Sequence, residues 1–327
     1  MTQIAAEPSI EQSPPEVGPE PTSQIIGRSP WQIFWSRFRK DKAAFFGLGF
    51  IILLILAALA APLIAKLVGH GPNELFNKTQ LNIFGLPNGP SGEFVFGVDK
   101  AGRDLFVRVI YGARISLQVA ILATGIAVAI GVTLGMTAGF FGGWVDTLIS
   151  RIIDIVLSMP LLLFAIGIVA SCSTSKEGCL GGLVKPGIGV VVFVIALFSW
   201  PPIARIVRGN TLSIREKEYI EASRSLGASN RRIMFREVLP NLMAPIIVWS
   251  TLIIPANIVF EASLSFLGLG VPQSVPSWGR MLSEAASLFE VAWWMMVFPG
   301  LFLVSTTLAF NLVGDGLRDA LDPRAGR

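Results

Sequence analysis

The sequence predicts an all-α, polytopic membrane protein with about six transmembrane helices, and three observations carry that prediction. First, 52% of its 327 residues are hydrophobic and the mean hydropathy is +0.64, a membrane-class composition. Second, apolar runs of the roughly 20 residues needed to cross a hydrocarbon core of about 30 Å recur along the chain. They lack the period-two alternation of a β-barrel, so each reads as a helix that satisfies its own backbone hydrogen bonds. Third, Lys and Arg gather at alternate ends of these runs.

The runs are Ala43–Ala65, Ala113–Phe140, Leu148–Ala170, Ile188–Val207, Ala244–Leu264 and Ala292–Val313. With six spans, three basic groups fall on one side: Arg28, Arg37, Arg39, Lys40 and Lys42; then Arg205 to Arg236; then Arg318, Arg324 and Arg327. Lys78, Lys100, Arg103, Arg108, Lys176, Lys185 and Arg280 are spread more thinly over the other side. Both termini and the segment around Glu218 are therefore expected in the cytoplasm. A net charge of +4 with this placement forms no stripe suited to nucleic acid, and none is expected as a partner.

Residues 1–27, rich in Pro, Glu, Ser and Gln, are expected to be a disordered cytoplasmic tail. They lack the basic start and apolar core of a secretory signal. Residues 28–42 place Trp31, Phe34, Trp35 and Phe38 at helical spacing among basic residues and read as an interfacial helix. Residues 43–327 then form the six-helix transmembrane domain, with a cytoplasmic loop at about 209–240. In the first exported loop Gly97, Gly102 and Asp104 read as turn and N-cap signals before a helix. In the second, Cys172 and Cys179 are either a disulfide or two free thiols. In the last, a short helix is expected from about Ser277.

Polar residues inside the spans need a reason, because insertion of a charge costs a few kcal/mol. Arg151, Asp154 and Ser158 share one helical face. They read as an Arg151–Asp154 pair that locks packing, or as a lining of the substrate path through Asp154. Pro160 follows and weakens the helix. Asn257, Glu261 and Ser265 form a second stripe, which either bonds a neighbouring helix or touches cargo. Trp200, Pro201 and Pro202 predict a bend in the fourth span. His70, the only histidine, reads as a solvated loop residue, which removes a Ser/His/Asp arrangement from the interior. No Gly-rich loop ending in Lys-Ser or Lys-Thr is present, so the chain holds no nucleotide by that device.

The polar segment Ile214–Pro240 parses as two short helices. Tyr219, Ala222, Ser223 and Leu226 share a face of the first, Gly227 suits its C-terminus, Ser229 can cap the second and Pro240 is expected to end it. An ordinary solvated loop is the plainer reading of that composition.

Glu221-Ala222-Ser223, Gly227 and Leu239-Pro240 resemble, in order and spacing, the EAA loop of ABC importer permease subunits. Ser223 stands where the pattern has a second Ala, and Glu237 where it has Ile; Glu237 is expected to face solvent. The stretches "FGVDKAGRDLFVRVIYGARISL", "GGWVDTLISRIIDIVLSMPLLL", "EASLSFLGLGVPQSVPSWGRML" and "NLVGDGLRDALDPR" are similar to the dipeptide/oligopeptide/nickel permease group, of the DppC/OppC type. The resemblance implies a type I ABC importer permease fold and a non-enzymatic transport subunit for di- or oligopeptides. It also implies a second permease of the DppB/OppB type, two ABC ATPases that bind the ATP and Mg, and an extracytoplasmic solute-binding protein. This chain would then hold no cofactor of its own. Glu221, Ala222, Ser223 and Gly227 would form the coupling surface, with Arg231 and Arg232 beside it. Arg151, Asp154, Asn257 and Glu261 are the candidates for the pathway or its gate. Nickel is the alternative cargo, and an ion-coupled secondary carrier using Asp154 and Glu261 the alternative class.

Overall fold

The computed structural model describes residues 30–174, 178–272 and 274–321. The tail expected at 1–27, and Arg324 and Arg327, lie outside the described residues. Among the described residues the chain is helical, with isolated β-bridges and no strand. The helices are α1 (Pro30–Phe38), α2 (Lys42–Leu59), α3 (Ala61–Val68), α4 (Asn77–Gln80), α5 (Leu105–Phe141), α6 (Gly143–Ser158) and α7 (Leu161–Thr174). They continue as α8 (Ile188–Arg215), α9 (Glu218–Ser225), α10 (Asn230–Ile233), α11 (Leu239–Phe266), α12 (Trp278–Ala285) and α13 (Trp294–Leu321).

The tightest pairing is α5 with α8, and its cause is legible in "GVTLGMTAG". Gly131, Gly135 and Gly139 recur every fourth residue on one face of α5. A methyl group at 131 or 139 would lie 2.9 or 2.8 Å from the carbonyl oxygen of Trp200 or Arg208, and one at 135 closer still to that of Ala204. Without a hydrophobic drive between helices in lipid, such small faces let backbones approach and gain dispersion contact. The partners rise together along both helices, so α5 and α8 run parallel.

That parallel pairing fixes the role of the segment between them. Chain leaving the end of α5 must return the length of the bundle before α8 begins, and α6 with α7 makes that return across a break bent by 88°. The expected single third span, Leu148–Ala170, is therefore a broken one that starts earlier. Met159 has extended backbone (ψ 135) because the ring of Pro160 excludes the helical region for the residue before it. Five long helices plus this bent pair give six crossings.

Two further expectations change. The first span is α2 and α3, divided at Ala60. α8 is helical throughout Ile188–Arg215, with Pro201 and Pro202 inside it. Pro240 ends nothing: α10, a π-turn at Met234–Val238 and α11 form one helix, Asn230–Phe266. The Leu239 N–H donates to the Met234 carbonyl across the widened turn. That looser spacing accommodates a proline that has no donor and a bulky ring.

α2 packs antiparallel against α13, where Gly47 meets Ala309 and Gly316 meets Ala44. α1 lies against the end of α13, with Phe38 buried beside Ala44 and Ala320. The Asp41 carboxylate caps α2 by accepting from the Ala43 and Ala44 N–H groups. At the opposite end the indoles of Trp278 and Trp294 donate to the Val109 and Val98 carbonyls, at 3.1 Å each, and pin the connecting segments to the bundle.

Candidate functional site

At one end of the bundle, α9 projects between α8 and the 230–266 helix. Its turn closes on Gly227, whose φ of +82° is the left-handed conformation that glycine adopts without strain. The Ala228 N–H reaches back to the Ser223 carbonyl at 3.0 Å. Ser229 then caps α10 through the Arg232 N–H, as the sequence predicts.

The buried face of α9 differs from the expected one. Ile220 is fully buried, in a cluster with Phe140, Ile153, Val207 and Ile233, where the ends of α5, α6, α8 and the long helix meet. Glu221, Ala222, Tyr219 and Leu226 remain exposed, Leu226 at 88%. Leu226 is thus a bare apolar side chain on the outermost turn. Arg231, Arg232 and Arg236 stand around Phe235 on a neighbouring cavity of about 490 Å³.

Two polar rungs fasten α9 to the long helix. The Ser223 hydroxyl donates to Glu237 Oε1 at 2.7 Å, and Asn241 Nδ2 donates to the Tyr219 hydroxyl at 3.4 Å. Glu237, inside the π-turn, therefore faces α9 and not solvent. The two residues that depart from the EAA pattern, Ser223 and Glu237, are each other's partner. The signal was present in the sequence as matching spacings of four, 219 to 223 and 237 to 241.

The candidates for the pathway are separated by the structure. Asp154 pairs with Arg205 (Arg205 Nη2 to Asp154 Oδ1, 2.7 Å), not with Arg151, which is exposed and forms no ion pair among the described residues. The expected Arg151–Asp154 lock is replaced by one between α6 and α8. Asp146 and Arg208 form a second, bidentate lock there, with Nη2 2.6 Å from Oδ2. A fork of this kind is the strongest ordinary ion-pair geometry.

Asn257 and Glu261 sit in a buried ladder. Asn257 donates to Thr124 Oγ1 at 2.8 Å and accepts from Ser199 Oγ at 2.7 Å. Glu261, fully buried, accepts from Ser116 at 2.9 Å and Ser265 at 2.6 Å. These bonds tie α11 to α5 and α8, which is the structural alternative for the stripe.

At the end of the bundle away from α9, His70 is buried and not solvated. It stacks on Phe94, with centroids 4.6 Å apart, and its Nδ1 lies 2.6 Å from Asp104 Oδ2. Asp104 also caps α5. Cys172 and Cys179 are joined in a disulfide.

A bundle of six candidate crossings with an exposed short helix held at one end is the architecture of a polytopic membrane protein. Residues 131–327 match the family described as the binding-protein-dependent transport system inner membrane component, and residues 29–82 match the N-terminal TM domain of oligopeptide transport permease C. The chain belongs to this family and is an ABC importer permease subunit of the DppC/OppC type. It is 46% identical over 297 residues to the glutathione transport system permease protein GsiD of Shigella flexneri serotype 5b (strain 8401), covering 91% of each chain. The corresponding protein of Escherichia coli O6:K15:H31 (strain 536 / UPEC) is 44% identical, over the same shares. Among solved structures, a chain of the inward-facing MetNI methionine ABC transporter has a TM-score of 0.54 at 18% identity, covering 67% of this chain and 98% of that one. A second crystal form gives 0.53 at 19% identity, with 67% and 96% covered.

Proposed function

We propose that this subunit, with a second permease of the DppB/OppB type, forms the membrane path for short peptides handed over by an extracytoplasmic solute-binding protein. The observation that carries the cargo class is the 46% identity over 91% of both chains to a permease named for glutathione, itself a tripeptide. ATP and Mg bind on two separate ATPases, and closure of those subunits drives alternating access. The end bearing α9 and both termini faces the cytoplasm, and the membrane is the inner, or plasma, membrane.

The coupling surface is the exposed part of α9. Glu221 pairs with a basic group on the ATPase, Ala222 and Ser223 allow close approach, and Gly227 holds the bend. Leu226 fills an apolar pocket, and Arg231 and Arg232 meet acidic surface alongside. Because Ile220 and the two rungs fix α9 to the 230–266 helix, a push on α9 moves a helix that crosses the membrane. The alternating states are rigid-body arrangements of these packed units.

Reconstitution of the complete importer in liposomes tests this. ATP-dependent uptake of labelled glutathione or a short peptide is expected. Uptake of nickel in place of peptide would overturn the cargo. Transport by this chain alone under an ion gradient would overturn the coupling scheme.

A further inference from the structure

Five charged side chains are packed together on the exported side, and their charges do not balance. Arg103 lies 2.6 Å from Asp99 and 3.1 Å from Glu284, Arg108 lies 3.2 Å from Asp99, and Arg280 lies 3.5 Å from Glu284. Side-chain exposure is 12% or less throughout. Asp104, the next acid along the chain, is turned to His70 instead. Three guanidinium groups therefore share two carboxylates. Burying an ion away from water is unfavourable unless it is paired, so the surplus cation calls for an anion.

The position of Arg280 says where that anion enters. Arg103 is spent on two carboxylates, and Arg108 is wholly buried with Nη1 on the Pro72 carbonyl. Arg280 borders a cleft of about 340 Å³ whose other walls are Pro186, Gly187 and the loop Gly268–Pro272. Its Nε is buried against Glu284 Oε1, 3.5 Å away and short of hydrogen-bond geometry, and this is its one ion pair among the described residues. Gly270 keeps the wall thin: a Cβ there would collide with Ser265, whose hydroxyl is committed to Glu261. Arg280 lines this small cleft, and a planar guanidinium matches a carboxylate, which it can bind in a bidentate manner.

We propose that this cleft is a carboxylate subsite on the exported side, in which Arg280 takes a carboxylate of the peptide cargo as it leaves the binding protein. The proposal rests on the peptide reading above. Arg280 is thereby a specificity-determining residue: it selects cargo with a free carboxylate and disfavours amidated or esterified ends. Removing it leaves Arg103 and Arg108 opposite Asp99 and Glu284, two against two, so the fold tolerates the loss.

The test uses the complete importer in liposomes with its binding protein, and R280K and R280Q variants. Trialanine and trialanine amide serve as probes. For trialanine, R280Q is expected to lose about tenfold or more in uptake, a loss of one charged hydrogen-bonded contact of about 1.4 kcal/mol or more, with R280K between it and the wild type. The amide should be taken up poorly, and equally, by all three. Equal trialanine uptake by wild type and R280Q overturns the subsite, as does an equal loss for acid and amide. In the solubilised importer, acetate should raise the melting temperature of the wild type and not of R280Q; no difference between them also overturns it. That measurement needs no transport, so it separates failure of the subsite from failure of the peptide reading. If R280Q weakens docking of the cargo-free binding protein, the carboxylate belongs to that partner and the cargo assignment falls.

Discussion

Breaking the Ser223–Glu237 rung should uncouple ATP hydrolysis from transport without unfolding the bundle. Ser223→Ala removes the donor to Glu237 Oε1, 2.7 Å away. Glu237 Oε2 is already buried without a partner, so the variant leaves a carboxylate with neither oxygen bonded. A hydrogen bond to a charged group contributes about 1.5–3 kcal/mol, and its loss should raise opening of α9 from the long helix by about 10- to 150-fold. Ile220 remains buried, so α9 loosens but stays attached. Hydrogen exchange of the amides from 219 to 226 should speed up by that factor, while those of α5 and α8 hold. In reconstituted importer, more ATP should be hydrolysed per peptide moved. Adding Glu237→Ile removes the unmet carboxylate, so the double variant should recover most of the loss, a coupling of about 1 kcal/mol or more in a double-mutant cycle. Additive effects of the two substitutions, or unchanged exchange in Ser223→Ala, would refute the reasoning.

Three other outcomes follow from the geometry. Glu221→Ala should leave the permease assembled in the membrane but lower both uptake and transport-linked ATP hydrolysis, and unchanged uptake would remove Glu221 from the coupling surface. Gly135→Val should prevent stable pairing of α5 and α8, where even a methyl group meets the Ala204 carbonyl; a cost of about 1–3 kcal/mol or more from overpacking should appear as loss of intact protein in the membrane, and normal yield would contradict the packing argument. Cys172 and Cys179, seven residues apart, should resist alkylation until reduced, and replacing both with Ser should cost about 2.5 kcal/mol by loop entropy in thermal unfolding. Alkylation of unreduced protein would contradict the pairing.

Spans and caps were legible because each depends on local composition or a neighbour three residues away. Asp104, Ser229 and Ser277 all cap the helices their positions imply. Ion pairing was less legible. On one helix Arg151 and Asp154 are three apart and look like partners, but Arg205 on α8 offers Asp154 a better geometry that depends on how two distant helices meet. His70 was misread for the same reason: nothing near it in sequence reveals Asp104, thirty-four residues on, or the face of Phe94. Pro240 was misread through a local rule that holds for α-turns and fails where a π-turn precedes it. The glycine stripe on α5 was open to reading from its spacing alone, since small residues every fourth position in an apolar run indicate close helix approach.

The 230–266 helix has a thermodynamic consequence. Its 37 residues extend about 55 Å at 1.5 Å per residue, from the capped turn beneath α9 to within two residues of Gly268 on the cleft beside Arg280. Under the coupling surface and carboxylate subsite proposed above, a single beam ends at the ATPase on one side and at the point of cargo entry on the other. If its position differs between the two access states, cargo arrival and ATPase closure are linked, and linkage is reciprocal: whatever free energy one end lends to the other must be returned in kind. Cargo at the exported mouth should then shift ATPase occupancy to the same degree that nucleotide shifts affinity for cargo, with no contact between the two ligands.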